Sequence, residues 1–172
     1  GIKWYVIKSV RSNKYVGYLS SGSKLEQSSD ITLNSLFYVT GEISETDKLY
    51  DSDQLAKVKI GNFAAGTNKM AGFNSWNEDG IDWYIWSNGR TDGNEGVYIV
   101  DKTNDINEED GKQKGLWGGW NDSGNLITDY YHNDIPGSCF AFEPKSFDDV
   151  KAIALSDVAR ISRSLHFLIS SA

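Results

Sequence analysis

One order of segments runs three times along this chain: an apolar run, a glycine–aromatic run, a variable stretch and a closing aromatic run. The opening runs are Trp4-Tyr5-Val6-Ile7-Lys8, Val58-Lys59-Ile60 and Val97-Tyr98-Ile99-Val100. Ser12-Asn13-Lys14-Tyr15-Val16-Gly17-Tyr18 and Thr67-Asn68-Lys69-Met70-Ala71-Gly72-Phe73 share a hydroxyl–Asn–Lys–x–x–Gly–aromatic pattern, and Leu116-Trp117-Gly118-Gly119-Trp120 is a looser third copy. The closing runs are Leu36-Phe37-Tyr38-Val39, Asp82-Trp83-Tyr84-Ile85-Trp86 and Cys139-Phe140-Ala141-Phe142. Such self-similarity points to repeats that cannot bury their apolar faces alone and must share one core.

The runs are short, rich in Val, Ile, Tyr, Phe and Trp, and bounded by Gly, Asn, Asp and Ser. That is the composition of β-strands joined by tight turns. Asp79-Gly80, Asn88-Gly89, Asp92-Gly93 and Asp110-Gly111 supply turn residues that tolerate positive φ. A glycine inside a strand marks a close backbone approach or a bulge, so Gly17 and Gly72 are expected where the repeats converge. Three imperfect repeats predict an all-β domain over residues 1–145, a β-trefoil in which a six-stranded barrel is capped by three hairpins. The second repeat is short between Gly72 and Trp83, so its third strand is expected to be shortened or missing. Thr103 to Gly115 is acidic and polar and reads as a surface loop.

Residues 146–172 differ in character. Ser146 followed by Asp149 has the spacing of a helix N-cap and its partner. Val150, Ile153, Ala154, Val158, Ile161, Leu165 and Leu168 recur at helical spacing. Asp148 and Asp149 fall early and Arg160, Arg163 and His166 late, as the helix dipole favours. A C-terminal amphipathic helix is predicted from about Asp148 to about Phe167, with its stripe packed on the barrel or against a partner.

Composition narrows the function. A net charge of −7 argues against an electrostatic nucleic-acid binder. No run of apolar residues is long enough for a membrane span. A single cysteine, Cys139, excludes an internal disulfide framework and any multi-cysteine metal site, and two histidines, His132 and His166, leave little for a zinc site. Cys139 lies in a closing strand and reads as a small buried hydrophobe. No Gly-x-Ser-x-Gly elbow or phosphate loop occurs. The oxygen-rich stretch Asp101, Asn104, Asp105, Asn107, Glu108, Glu109 and Asp110 misses the calcium-loop pattern because Gly111 falls one place late. No catalytic constellation, metal site or cofactor is expected.

Trp4-Tyr5-Val6-Ile7-Lys8, Leu36-Phe37-Tyr38-Val39, Gly80-Ile81-Asp82-Trp83-Tyr84-Ile85, Gly96-Val97-Tyr98-Ile99 and Gly137-Ser138-Cys139-Phe140-Ala141-Phe142-Glu143-Pro144 carry a resemblance. From Lys3 to Lys145 the chain resembles the ricin-B-like β-trefoil domains of bacterial secreted proteins. The resemblance implies a lectin-like, non-catalytic module, secreted or on the cell surface, with any signal peptide removed. It also implies that Asp101, directly after the third repeat's first strand, holds sugar hydroxyls. The family's Gln-x-Trp signature is absent, with Ser35, Ile81 and Ser138 where its glutamines are expected.

Sugar binding needs an aromatic plate to stack on the pyranose and polar groups to hold its hydroxyls. The third repeat offers the best set: Asp101, Trp117, Trp120, Asn121, Asp122, Tyr130, His132 and Asn133. Alternate strand residues face opposite sides, so Tyr130 and His132 share one face, Tyr131 and Asn133 the other. Trp76 and Trp86 are candidate secondary contacts; a single Trp fits barrel packing as well, and Trp76 also fits a lid over the barrel mouth. The expected function is carbohydrate binding, with a glycan partner. The alternative is a protein-interaction module that docks through loops or the C-terminal helix.

Overall fold

Alternation of side chains along the strands decides the architecture. The computed structural model describes residues 2–19, 25–42, 56–72, 75–87, 91–101, 112–118, 125–132 and 139–170. Among these residues the first repeat supplies β1 (Lys3–Ser9), β2 (Tyr15–Tyr18), β3 (Leu25–Ser28) and β4 (Phe37–Glu42). The second supplies β5 (Ala56–Asn62), β6 (Met70–Ala71), β7 (Trp76–Asn77) and β8 (Trp83–Ser87). The third supplies β9 (Val97–Val100), β10 (Lys112–Gly118), β11 (Asn125–His132) and β12 (Phe140–Lys145), and α1 (Phe147–Ser170) follows. The protein is therefore an antiparallel β-structure with one C-terminal helix.

β1 pairs β4, β4 pairs β5, β5 pairs β8, β8 pairs β9, β9 pairs β12, and β12 returns to β1. A ring closed in this way leaves none of its strands at an edge. The remaining strands form the hairpins β2–β3, β6–β7 and β10–β11. β2, β6 and β10 each touch the ring once, at Lys8↔Tyr15, Gly61↔Met70 and Leu116↔Val100.

Each ring strand sends two alternate residues inward: Tyr5 and Ile7, Phe37 and Val39, Val58 and Ile60, Trp83 and Ile85, Val97 and Ile99, Phe140 and Phe142. The register opposes them in pairs, Tyr5 to Phe37, Ile7 to Phe142, Val39 to Ile60, Val58 to Trp83, Ile85 to Ile99 and Val97 to Phe140. Every one of these residues has a ring partner from the same set, so a one-residue slip would expel them all. Burying each contributes about 1.5–3 kcal/mol.

A second apolar cluster lies outside the ring. Val6 and Leu36 pack with Val150 of α1, and Trp4, Tyr15, Ile31, Leu33 and Ile153 close around them. The helix thus covers its own barrel wall. Its start is the expected reciprocal cap: the Asp149 amide donates to Ser146 Oγ at 3.1 Å, and the Ser146 amide donates to Asp149 Oδ2 at 3.0 Å. Those bonds hold the Asp149 carboxyl below its ordinary value. Among the described residues no helix is long and apolar enough to cross a membrane.

Three expectations need correction. Val158, placed on the buried stripe, is 55% exposed. Asp157 stands near that face instead, and its Oδ2 accepts the Leu33 amide at 3.1 Å. A turn on the barrel offers a bare N–H there, so a carboxylate replaces an aliphatic. Residues 112–115, assigned to a surface loop, open β10, where the ladder to β11 overrides the polar composition. Gly72 makes its close approach inside its own hairpin: a Cβ there would lie 2.7 Å from the Ser75 carbonyl oxygen. The second repeat's short third strand, β7, is as expected.

Candidate functional site

Trp117 of the third-repeat set presents no stacking face. That indole is 2% exposed and sits at the hub of the barrel. It meets Phe37, Trp83 and Phe140 edge-on, with ring centroids 6.3, 5.8 and 6.2 Å away. Those three aromatics come from β4, β8 and β12, so Trp117 joins three ring strands from inside the barrel. The sugar-stacking role expected of Trp117 is thereby excluded. Its Nε1 finds no acceptor among the described residues, whereas Trp83 Nε1 donates to the Ala71 carbonyl at 2.9 Å.

Asp101 follows β9 and is half-buried. Tyr130 and His132 lie on β11 and Trp86 on β8, with side chains outside the described residues. Trp120, Asn121, Asp122 and Asn133 also lie outside them. Trp76 is half-buried against the core, edge-on to Tyr18 at 5.4 Å and tilted on Phe37 at 6.5 Å. It therefore packs between β2 and β4 at the edge of the core.

The outer wall carries a different constellation. Trp4 and Tyr38 are one residue out of phase with the inward Tyr5 and Phe37, so they face outward. The register sets Lys145 opposite Trp4, Trp4 opposite Tyr38, Tyr38 opposite Gly61, and Gly61 opposite Met70. One row thus crosses β12, β1, β4, β5 and β6. Gly61 lets the Tyr38 ring lie across its neighbour: a Cβ at residue 61 would fall 2.0 Å from Tyr38 Cζ. Tyr38 is only 7% exposed, and burial pushes its phenol above the ordinary 10.0.

Neighbouring aromatics build walls on this floor. Trp4 meets Tyr38 edge-on at 5.3 Å and Phe63 tilted at 6.0 Å. Phe63 begins the turn after β5, where its amide donates to the Leu36 carbonyl at 2.8 Å. Asn62 fixes that turn. Its Nδ2 donates to the Asn34 carbonyl and its Oδ1 accepts the Ala64 amide, both at 2.8 Å. The result is a pocket of about 360 Å³ lined chiefly by Ile2, Trp4, Tyr38, Phe63, Thr67 and Met70. Among the described residues its lining includes no carboxylate, imidazole or thiol. A second recess, about 440 Å³, adjoins it and shares Ile2 and Trp4; Lys3, Lys145 and Phe147 line its far side.

The sequence reading passed over this site because each strand contributes one residue and register is not legible along a single chain. A usable signal existed. Trp4-Tyr5 and Phe37-Tyr38 are apolar on both faces of their strands, so something must occupy the outer face as well as the core. No family model, no curated protein and no solved structure matches the chain.

Proposed function

We propose that this chain is a non-catalytic β-trefoil binding module that seats an apolar side chain of a protein partner in the outer-wall pocket. The closed ring of β1, β4, β5, β8, β9 and β12, and the three hairpins between its strands, support the trefoil reading. One observation carries the docking reading: the pocket is walled by Ile2, Trp4, Tyr38, Phe63 and Met70, while the Asn62 amide is engaged within the fold. An apolar side chain needs no hydrogen-bond partner there. A sugar needs several, and each hydroxyl buried without one costs free energy. Ile2 is 60% and Phe63 43% exposed, so two large hydrophobes stand at the rim, as they do at interaction sites.

Glycan binding is the second reading, favoured by the part-exposed rings of Trp4 and Phe63 as stacking faces. The test sets a neutral probe, N-acetyl-phenylalaninamide, against a glycan array. Burying one phenyl group yields about 1.5–3 kcal/mol, so after association costs a dissociation constant of roughly tens of millimolar or weaker is expected by saturation-transfer NMR. The signal should vanish in Phe63→Ser and persist in Leu155→Ser, a change on the exposed face of α1. Glycan hits lost in Phe63→Ser, with no probe binding, would replace the docking reading by the lectin one.

A further inference from the structure

We propose that the partner segment is acidic as well as apolar: an extended peptide whose anchor side chain fills the Tyr38–Phe63–Met70 pocket and whose carboxylate meets Lys145 in the adjoining recess. This rests on the docking reading and adds the chemistry of the ligand's second half.

Three observations support it. First, the two recesses form one bipartite groove, because both are lined by Ile2 and Trp4. One half is apolar, and the other is flanked by Lys3 and Lys145. Second, the charges on this side of the barrel are unevenly matched. Lys8 is paired with Glu143, and Lys57 and Lys59 share Asp82. Lys145 forms no ion pair among the described residues. The nearby acid Asp149 is held by its two hydrogen bonds to Ser146 and meets the Lys145 charge only at longer range. On a chain of net charge −7, a cation that lacks a direct ion pair and lies beside an apolar pocket complements a negative group on a partner. Third, the spacing suits a peptide. Lys145 and Tyr38 lie on either side of Trp4 in one row. Neighbouring strands are ~4.8 Å apart, so their Cα atoms are separated by roughly 10 Å, which is about three residues of extended chain at ~3.3 Å each. The segment would run across the strands, over the Trp4 ring, from anchor to carboxylate.

The test uses the whole chain and labelled peptides with one Phe and two Glu placed three and four residues away, beside their Gln isosteres. Fluorescence anisotropy should show the Glu peptide binding about 1.5- to fivefold tighter at low ionic strength, with the preference shrinking toward unity at 0.5 M salt. Lys145→Glu should abolish or invert the preference without removing binding of the Gln peptide, and Arg163→Glu, on the exposed side of α1, should change neither. Phe63→Ser should remove both. Equal binding of the Glu and Gln peptides that is lost in Phe63→Ser would overturn the acidic inference and leave the docking reading standing. No binding of either peptide, with the fold intact by circular dichroism, would overturn both. A Glu preference that survives Lys145→Glu would also overturn the assignment.

Discussion

Replacing Trp83 with Phe should destabilise the protein more than the same replacement at Trp117, although both indoles are buried in one core and touch each other. The change removes the same atoms at each site, so the lost transfer and cavity contributions are similar, about 1.5–3 kcal/mol. The hydrogen bonds differ. Trp83 Nε1 donates to the Ala71 carbonyl at 2.9 Å, and losing that bond costs about 1 kcal/mol. The acceptor keeps a second donor, the Ile81 amide at 3.1 Å, so it is not orphaned. Trp117 Nε1 has no acceptor among the described residues, so phenylalanine there relieves a buried unpaired donor worth about 1–3 kcal/mol. The two variants should differ by about 2–4 kcal/mol, or roughly 4–16 °C in Tm for a domain of this size. Urea unfolding followed by circular dichroism, with equal m-values required, measures the gap. Equal destabilisation, or a greater loss at Trp117, would refute the hub geometry.

Other outcomes follow from single contacts. Gly61→Ala should cost about 1–3 kcal/mol in urea unfolding, because its methyl group collides with the Tyr38 ring, and probe binding should fall as the pocket floor shifts. Asp157→Ala should cost about 1–3 kcal/mol by the same assay, since it leaves the Leu33 amide without its acceptor. The Ser146 bonds hold the folded-state pKa of Asp149 below 3.8, so the stability contributed by its carboxylate is complete above that value. It is lost as pH falls through the lower folded-state value. Ellipticity at 222 nm should register this loss, and the step should be absent in Asp149→Asn.

The six ring strands were legible because each carries apolar residues at alternate positions between turn-forming residues. The helix was legible from its 3.6-residue period and from Ser146 with Asp149. Legibility ended where tertiary partners set the outcome. Lys112-Gln113-Lys114-Gly115 has no strand composition, yet Lys112 and Gln113 pair with β11 before the register shifts at Lys114-Gly115. Asp157 lies close to a helix face expected to be aliphatic because a turn elsewhere in the chain presents a bare amide. Trp117 gives no local sign of being a hub, since Phe37, Trp83 and Phe140 reach it from three separated strands. The outer-wall pocket depends on a register row through Trp4, Tyr38, Gly61 and Met70, and Gly61 reads as an ordinary strand-end glycine until Tyr38 is placed over it.

Mapping the neutral probe by amide chemical shifts tests the central claim most directly. N-acetyl-phenylalaninamide titrated into isotope-labelled protein should perturb Trp4, Tyr38, Phe63, Thr67 and Met70, and the shifts should fit a single constant of roughly tens of millimolar or weaker. Shifts concentrated on β10 and β11 would return the site to the third repeat and contradict the outer-wall account.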